Sequence, residues 1–90
     1  MKFTIRGPFK ENINMLMRGV GYHKSEVAFC RPARGYPRFH IYLQTKGDDL
    51  EINLRLDQKK PIYKGAPAHS ADYQGKVVEE EAERIKQALS

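Results

Sequence analysis

The stretch from Phe39 to Asp57 alternates apolar and polar residues on both sides of a polar turn at Lys46–Asp49. Because successive side chains of a β-strand point to opposite faces of a sheet, this pattern predicts an antiparallel hairpin with one apolar and one polar face. We place its strands at Phe39–Lys46 and Asp49–Gln58. The rest of the chain must cover the apolar face, which favours a layered fold.

Four patterned segments flank this hairpin: two are expected to be further strands of the sheet and two are expected to be helices that cover its apolar face. Alternating residues with β-branched content indicate strands at Lys2–Arg6 and Ser25–Arg31. Apolar residues at helical spacing indicate helices at Pro8–Val20 and Lys76–Leu89. The carboxylates of residues 79–81 are expected in the first turn of the last helix, where the positive end of the helix dipole favours them.

The resulting order, β-α-β-β-β-α, predicts an α+β fold with a single domain spanning residues 1–90. We expect a two-layer sandwich in which two helices cover one face of an antiparallel meander sheet. The pattern leaves the position of the first strand in the sheet open. The other sheet face is expected to stay open, with Lys2, Thr4, Arg6, Ala28, Cys30, His40, Tyr42, Gln44, Glu51, Asn53, Arg55 and Asp57 on it.

Cysteine usage and hydropathy indicate where the protein resides. Cys30 is the only cysteine, so no intrachain disulfide can form and a reducing compartment is favoured. The N-terminus lacks an apolar signal region, and no apolar run approaches the roughly 20 residues that span a bilayer. We therefore expect a cytoplasmic protein that has no membrane partner.

The basic residues are concentrated in the first half of the chain. The whole chain carries a formal net charge of +5. Residues 1–47 hold nine basic and two acidic residues, a net charge of +7, whereas residues 48–90 carry −2. Such a surplus favours anionic partners through non-specific attraction.

Enzyme and cofactor motifs are absent from the sequence. No G-x-S-x-G elbow, H-E-x-x-H helix, phosphate-binding loop or C-x-x-C pair occurs, and the three histidines are scattered. His69 and Asp72 could pair an imidazole with a carboxylate, but we favour hydrogen bonding to the loop backbone. We predict no catalytic residue, no metal and no cofactor, and an enzyme is the less favoured class.

Two basic clusters flank the central hairpin and form the candidate ligand site. Guanidinium groups bind phosphates or carboxylates in bidentate fashion, and a tyrosine ring can stack on a base. Because the two clusters precede one hairpin strand and follow the other, we expect them at the same end of the sheet. The alternative interpretation is a solvated basic edge without a ligand. The candidate ligand-binding residues are Arg31, Arg34, Tyr36, Arg38, Lys59, Lys60, Tyr63, Lys64 and His69.

From Pro8 onward, the order helix-strand-strand-strand-helix resembles that of the double-stranded RNA-binding domain, which binds the shape and phosphates of an RNA duplex. That family places lysines at the start of its second helix. Here the helix opens with Lys76 and then carries three carboxylates at 79–81, which repel phosphate, so this binding mode is not expected. The open face offers Tyr42 and His40 as stacking platforms but lacks the aromatic motif of RNA-recognition sheets.

Three functional hypotheses follow from the sequence. The first is a small non-enzymatic binding module for an anionic partner, nucleic acid among the candidates, at the basic clusters. The second is a protein-interaction or homodimerisation domain that uses a sheet edge or the open face, whose apolar area comes from Tyr42, Ala28 and Cys30. The third is a small enzyme whose long loop, residues 58–75, is an active-site lid carrying Tyr63, His69, Asp72 and Tyr73.

Overall fold

The structure, a computed structural model, describes residues 1–26, 28–58 and 75–89, together with the backbone of residues 71–72. Within these ranges, six strands and two helices form the predicted α+β fold. The elements are β1 (Lys2–Ile5), α1 (Ile13–Gly19), β2 (His23–Ser25), β3 (Ala28–Arg31), β4 (Arg38–Lys46), β5 (Asp49–Asp57), β6 (Ala71–Asp72) and α2 (Lys76–Leu89).

The strands form one antiparallel sheet in the order β1-β5-β4-β3-β2, and β6 pairs with the end of β5. The predicted meander is therefore confirmed. The first strand, whose place the sequence pattern leaves open, lies beside β5 with Lys2 opposite Asn53. The backbone of Met1 extends this pairing, because its carbonyl oxygen accepts a 2.8 Å hydrogen bond from the Leu54 N–H.

The central hairpin pairs β4 with β5 from Arg38–Asp57 at one end to Lys46–Asp49 at the other. Gly47 adopts a φ of 60° in the turn, a conformation that glycine tolerates without steric cost. The predicted strand limits agree with the observed ones to within one residue. The apolar face of this hairpin, which we call the inner face, is covered by the helices.

The hydrophobic core lies between the inner face and the two helices. Apolar side chains from both layers are buried in it. Burial of apolar surface is the main favourable contribution to folding, and a chain this small has little of it to bury. The most deeply buried core residues are Ile41, Ile52 and Leu54 on the sheet, Met17 on α1, Tyr22 before β2, and Val78, Ala82 and Ile85 on α2.

Helix α1 begins at Ile13, so the predicted start at Pro8 is wrong. Asn12 is the N-cap residue, and its side-chain oxygen accepts a 2.9 Å hydrogen bond from the backbone N–H of Met15. This bond satisfies one of the free N–H groups at a helix start and fixes the boundary there. Phe9 still packs against the core from the segment before the helix. Its apolar character therefore reflects packing rather than helix periodicity.

Where the pattern predicts one strand at Ser25–Arg31, the structure has the end of β2, a turn and β3. The two strands pair with each other as a hairpin. Glu26 lies in the left-handed region with a φ of 54°, which reverses the chain direction. The expected exposure of Ala28 and Cys30 is also wrong, because their exposed fractions are 2% and 1%. Cys30 lies between His23 and His40 on the adjacent strands, whose larger side chains share its face.

Neither helix in the described part of the chain combines the length and apolar character that a membrane span requires.

Candidate functional site

The sheet face that points away from the helices, here the outer face, carries the polar residues of the central hairpin. Strand alternation places Arg38, His40 and Tyr42 of β4 on this face. Their partners across the ladder are Asp57, Arg55 and Asn53 of β5 in the same order. The outer face therefore presents rows of side chains that mix bases, acids and aromatic rings.

Asp57 is the most enclosed charge on the outer face, and two neighbours offset it. His40 Nδ1 lies 3.0 Å from Asp57 Oδ2, and Arg55 Nε lies 3.1 Å from Asp57 Oδ1. Arg55 Nη2 also lies 3.1 Å from His40 Nδ1. The short contacts of this carboxylate are therefore with His40 and Arg55, and Arg38 is its partner across the ladder.

An aromatic layer lies next to this cluster. The rings of His40 and Tyr42 are stacked with centroids 5.2 Å apart and an interplanar angle of 12°. The guanidinium carbon of Arg55 lies 5.2 Å from the Tyr42 ring centroid. These contacts restrain the Tyr42 ring, of which a large part remains in contact with water, since the residue is 38% exposed.

The end of the sheet at which β4 starts carries the basic residues that the sequence singles out. The Arg38 guanidinium carbon lies 4.7 Å from the centroid of the Tyr36 ring. The buried Nε of Arg38 has no hydrogen-bond partner within the ranges that the structure describes. Arg34 is exposed in the loop that leads to β4. The structure thus brings Tyr36 and Arg38 together, and Arg34 precedes them in the same loop. We call these three residues the basic end.

Arg31 is separate from this group because it belongs to the other face of the sheet. It lies opposite Phe39 in the β3–β4 ladder, which places its side chain on the inner face. There its Nε and Nη2 donate hydrogen bonds of 3.1 and 3.2 Å to the carboxylate of Glu81 on α2. Proximity in sequence predicts one group of Arg31, Arg34 and Arg38, but the ladder places Arg31 and Arg38 on opposite faces of the sheet.

Glu81 is the buried centre of a cluster, which we call the Glu81 cluster, made of Tyr22, Arg31, Glu81 and Arg84. The Tyr22 hydroxyl donates a 2.6 Å hydrogen bond to Glu81 Oε2. Arg84 Nε and Nη2 donate bonds of 2.8 and 3.0 Å to the two carboxylate oxygens. Through these hydrogen bonds, Tyr22 connects the segment before β2 to α2, and Arg31 connects the end of β3 to α2. Its role is structural, because the carboxylate side chain is only 3% exposed.

The protonation equilibria of the Glu81 cluster follow from burial and hydrogen bonding. Burial alone raises the pKa of Glu81, but hydrogen bonds from Arg84, Arg31 and Tyr22 outweigh it, and the pKa is lowered. Burial, followed by the hydrogen bond to Glu81, raises the pKa of Tyr22. The sequence pattern predicts Glu81 among the first-turn carboxylates that the helix dipole favours and does not single it out. Its position three residues after Val78 and four before Ile85 places it on the buried stripe, and that spacing could have revealed it.

Several sequence-predicted residues lie outside the described ranges. They are Lys59, Lys60, Tyr63 and Lys64 of the second basic cluster, the candidate ligand-binding residue His69, and Tyr73 of the lid hypothesis. The backbone of Asp72, which belongs to β6, is described and pairs with Leu56 of β5. The apolar contribution of Ala28 and Cys30 to an interaction surface is not available, because both residues are buried.

Among the described residues, no group of three or more histidines, cysteines or carboxylates is arranged to hold a metal ion. Cys30 is a free thiol in this part of the chain. Burial raises the pKa of Cys30, and the field of Arg38 opposes this increase only in part. The thiol is therefore a poor nucleophile in the folded protein.

The low reactivity of Cys30 gives a testable prediction. With a disulfide reagent at pH 8, we expect its labelling to be at least about tenfold slower in the folded protein than in urea, because reaction requires local opening. A Cys30→Ala protein carrying Gln87→Cys on the exposed side of α2 is the control, and its single thiol is expected to react quickly in both conditions. Fast labelling of folded wild type would contradict the burial of Cys30.

Comparison of the chain with known protein families, with curated proteins and with solved structures finds no match in any of the three. The geometry of the basic end and of the outer face is therefore the basis for the functional proposals that follow.

Proposed function

We propose that this protein is a non-enzymatic binding module for an anionic partner, which it holds at the basic end. The observation that carries the proposal is the environment of Arg38. Its guanidinium lies over the Tyr36 ring, and its buried Nε has no acceptor in the described part of the chain. Leaving a buried donor unsatisfied costs about 1–3 kcal/mol, so the protein groups described around Arg38 do not saturate its guanidinium.

The contacts of Arg38 suit a phosphate or carboxylate group. A guanidinium is planar and offers parallel N–H donors that match two oxygens of one anion. Stacking on Tyr36 holds the plane in place before the ligand arrives, so less side-chain entropy is lost on binding. Asp57, which lies opposite Arg38 in the ladder, makes its short contacts with His40 and Arg55.

The charge distribution supports a polyanion rather than a single small anion. Arg34 is exposed in the loop that leads to β4 and adds a second guanidinium four residues before Arg38. The first 47 residues carry a net charge of +7, which raises the local concentration of a negatively charged partner. Nucleic acid, which repeats a phosphate along its backbone, is the polyanion that we propose.

Titration of labelled single-stranded and double-stranded nucleic acids by fluorescence anisotropy tests this proposal. Replacing Arg34 and Arg38 with alanine is expected to weaken binding at low salt by about tenfold or more and to flatten the salt dependence, because fewer counterions are released. The matched control is Lys10→Ala with Arg18→Ala, which removes the same charge from exposed positions in the helical layer. This control is expected to bind within about threefold of wild type.

Two outcomes would overturn the proposal. Wild type that binds none of the nucleic acids at low salt removes it directly. Equal weakening by the two double variants would show that binding follows overall charge and that the basic end has no special part in it.

A further inference from the structure

We infer that the outer face holds a subsite for one unpaired nucleobase, with the Tyr42 ring as the stacking platform and the Asn53 and Gln44 amides as hydrogen-bonding groups. The inference rests on the proposed function, since it takes nucleic acid as the anionic partner. It adds the form that is bound, namely a single strand, and a second place of contact away from the basic end.

A cleft beside Tyr42 supplies the space for a base. Its volume is about 260 Å³, and it opens to water on the outer face. The β1–β5–β4 register explains its composition: Lys2, Asn53 and Tyr42 form one row across three strands, and Glu51 and Gln44 form the next row. The lining residues are Lys2, Tyr42, Leu43, Gln44, Glu51 and Asn53.

The side of Tyr42 that faces the cleft is the one available for stacking. His40 and Arg55 form the preceding row of the ladder, and both contact the Tyr42 ring from that direction. The cleft lies toward the following row, which contains Gln44 and Glu51. A ring that is packed on one side and open on the other is preorganised for a base, and such stacking tolerates any base.

The polar groups of the cleft match a nucleotide. The Asn53 and Gln44 amides each offer a donor and an acceptor, which suits the edge of a base that is not paired to another strand. Lys2 adds a positive charge at the rim for a phosphate. Glu51 is paired with Lys46, whose Nζ lies 2.9 Å from its carboxylate, and the positive charge of this lysine offsets the repulsion between Glu51 and the phosphate.

The cleft and the basic end lie on one line along β4. Tyr42 and Arg38 are four residues apart on the same strand, a separation of about 13 Å at the usual rise of a β-strand. A single strand of a few nucleotides can contact both places at once. A duplex can contact the basic end through its phosphates, but its paired bases are stacked within the helix and do not reach the cleft.

Anisotropy titrations with a 12-nucleotide single strand and with its duplex test the subsite. Tyr42→Ala is expected to weaken binding of the single strand by roughly 5- to 100-fold while duplex binding changes less than about twofold. Tyr42→Phe keeps the ring and is the matched control, expected to bind the single strand within about twofold of wild type. Circular dichroism of each variant verifies that the fold is retained.

A measurement on the unmodified protein removes any dependence on variant folding. On addition of the single strand, the NMR signals of the Tyr42 ring are expected to shift because a base stacks on it, while those of the buried Tyr22 ring stay in place. Binding without a Tyr42 shift, or an equal loss in Tyr42→Phe and Tyr42→Ala, would overturn the subsite. If Arg34→Ala with Arg38→Ala still reduces binding in that case, the proposed function stands without the subsite. Wild type that binds no probe overturns both.

Discussion

Replacing Glu81 with glutamine is expected to lower the free energy of unfolding by about 2–3 kcal/mol. The change removes the negative charge that receives hydrogen bonds from Tyr22, Arg31 and Arg84. Loss of one member of a buried ion pair leaves its partners with unmet polar groups. The two arginines are about 40% exposed and regain water, so the main cost falls on the tyrosine hydroxyl and the lost ion pairs.

Urea unfolding followed by circular dichroism measures this effect, and Glu83→Gln is the matched control. Glu83 lies on the same helix and also contacts a cation, Lys86, at 3.4 Å, but its side chain is 64% exposed. Exposed pairs contribute little, so the control is expected to change stability by less than about 0.5 kcal/mol. Equal effects of the two substitutions would show that burial of the Glu81 cluster does not stabilise the fold.

The pH dependence of the unfolding free energy, compared between wild type and Glu81→Gln, identifies the charge of Glu81 as the cause of the stability difference. Because folding lowers the pKa of Glu81 below its ordinary value of 4.5, its contribution is complete above that pH. The contribution is lost as the pH falls through the lower, folded-state pKa. The stability difference between wild type and Glu81→Gln is therefore expected to be constant near neutrality and to shrink in acid. A difference that grows in acid would contradict the lowered pKa.

The central hairpin could be predicted because two local features of the sequence, the alternation of its strands and the polar turn between them, indicate the same structure. Two alternating runs flank a polar turn with Gly47, and a shift of one residue would move every apolar side chain to the wrong face. The position of β1 could not be predicted in the same way. Its pairing with β5 joins Lys2 to Asn53, residues far apart in the chain, and no local pattern encodes that contact.

The two boundary errors have specific physical causes. Residues 8–12 carry apolar and helix-compatible residues, and only the side chain of Asn12, by capping the backbone, decides that the helix starts after it. In the second strand, Glu26 adopts a left-handed conformation that non-glycine residues rarely take. A pattern of alternation contains no sign of such a turn, so the hairpin of β2 and β3 was interpreted as one strand.

The candidate site could be predicted only in part, because the spacing of charges along the chain does not show which face of the sheet each side chain occupies. Arg31, Arg34 and Arg38 lie close in sequence, but only the ladder reveals that Arg31 faces the helices and Arg38 the outer face. The engagement of Arg31 by Glu81 depends on the packing of α2 on the sheet, a tertiary contact that neither segment encodes alone. Tyr42 and His40 were identified as stacking platforms, yet the cleft beside Tyr42 depends on β1 and its position in the sheet.

Replacing Gly7 with alanine is expected to destabilise the protein by about 2–3 kcal/mol. A Cβ atom at this position would overlap the backbone carbonyl oxygen of Asp48 in the β4–β5 turn. The segment cannot simply move away, because the Gly7 N–H donates a 3.0 Å hydrogen bond to Asp49 Oδ1. Relief of the overlap therefore requires either loss of that bond or a shift of the turn that ends the central hairpin.

Gly19→Ala is the matched control, because it makes the same chemical change where space is open. Gly19 is the last residue of α1, and no atom beyond its immediate surroundings lies within 4 Å of an added Cβ. Alanine there is expected to stabilise the protein by about 0.5 kcal/mol through helix propensity and a less flexible unfolded chain. Thermal unfolding of both variants should thus give shifts of opposite sign. An unchanged midpoint for Gly7→Ala would mean that the turn yields readily, and the contact between residue 7 and residue 48 would then not anchor β1 to the hairpin.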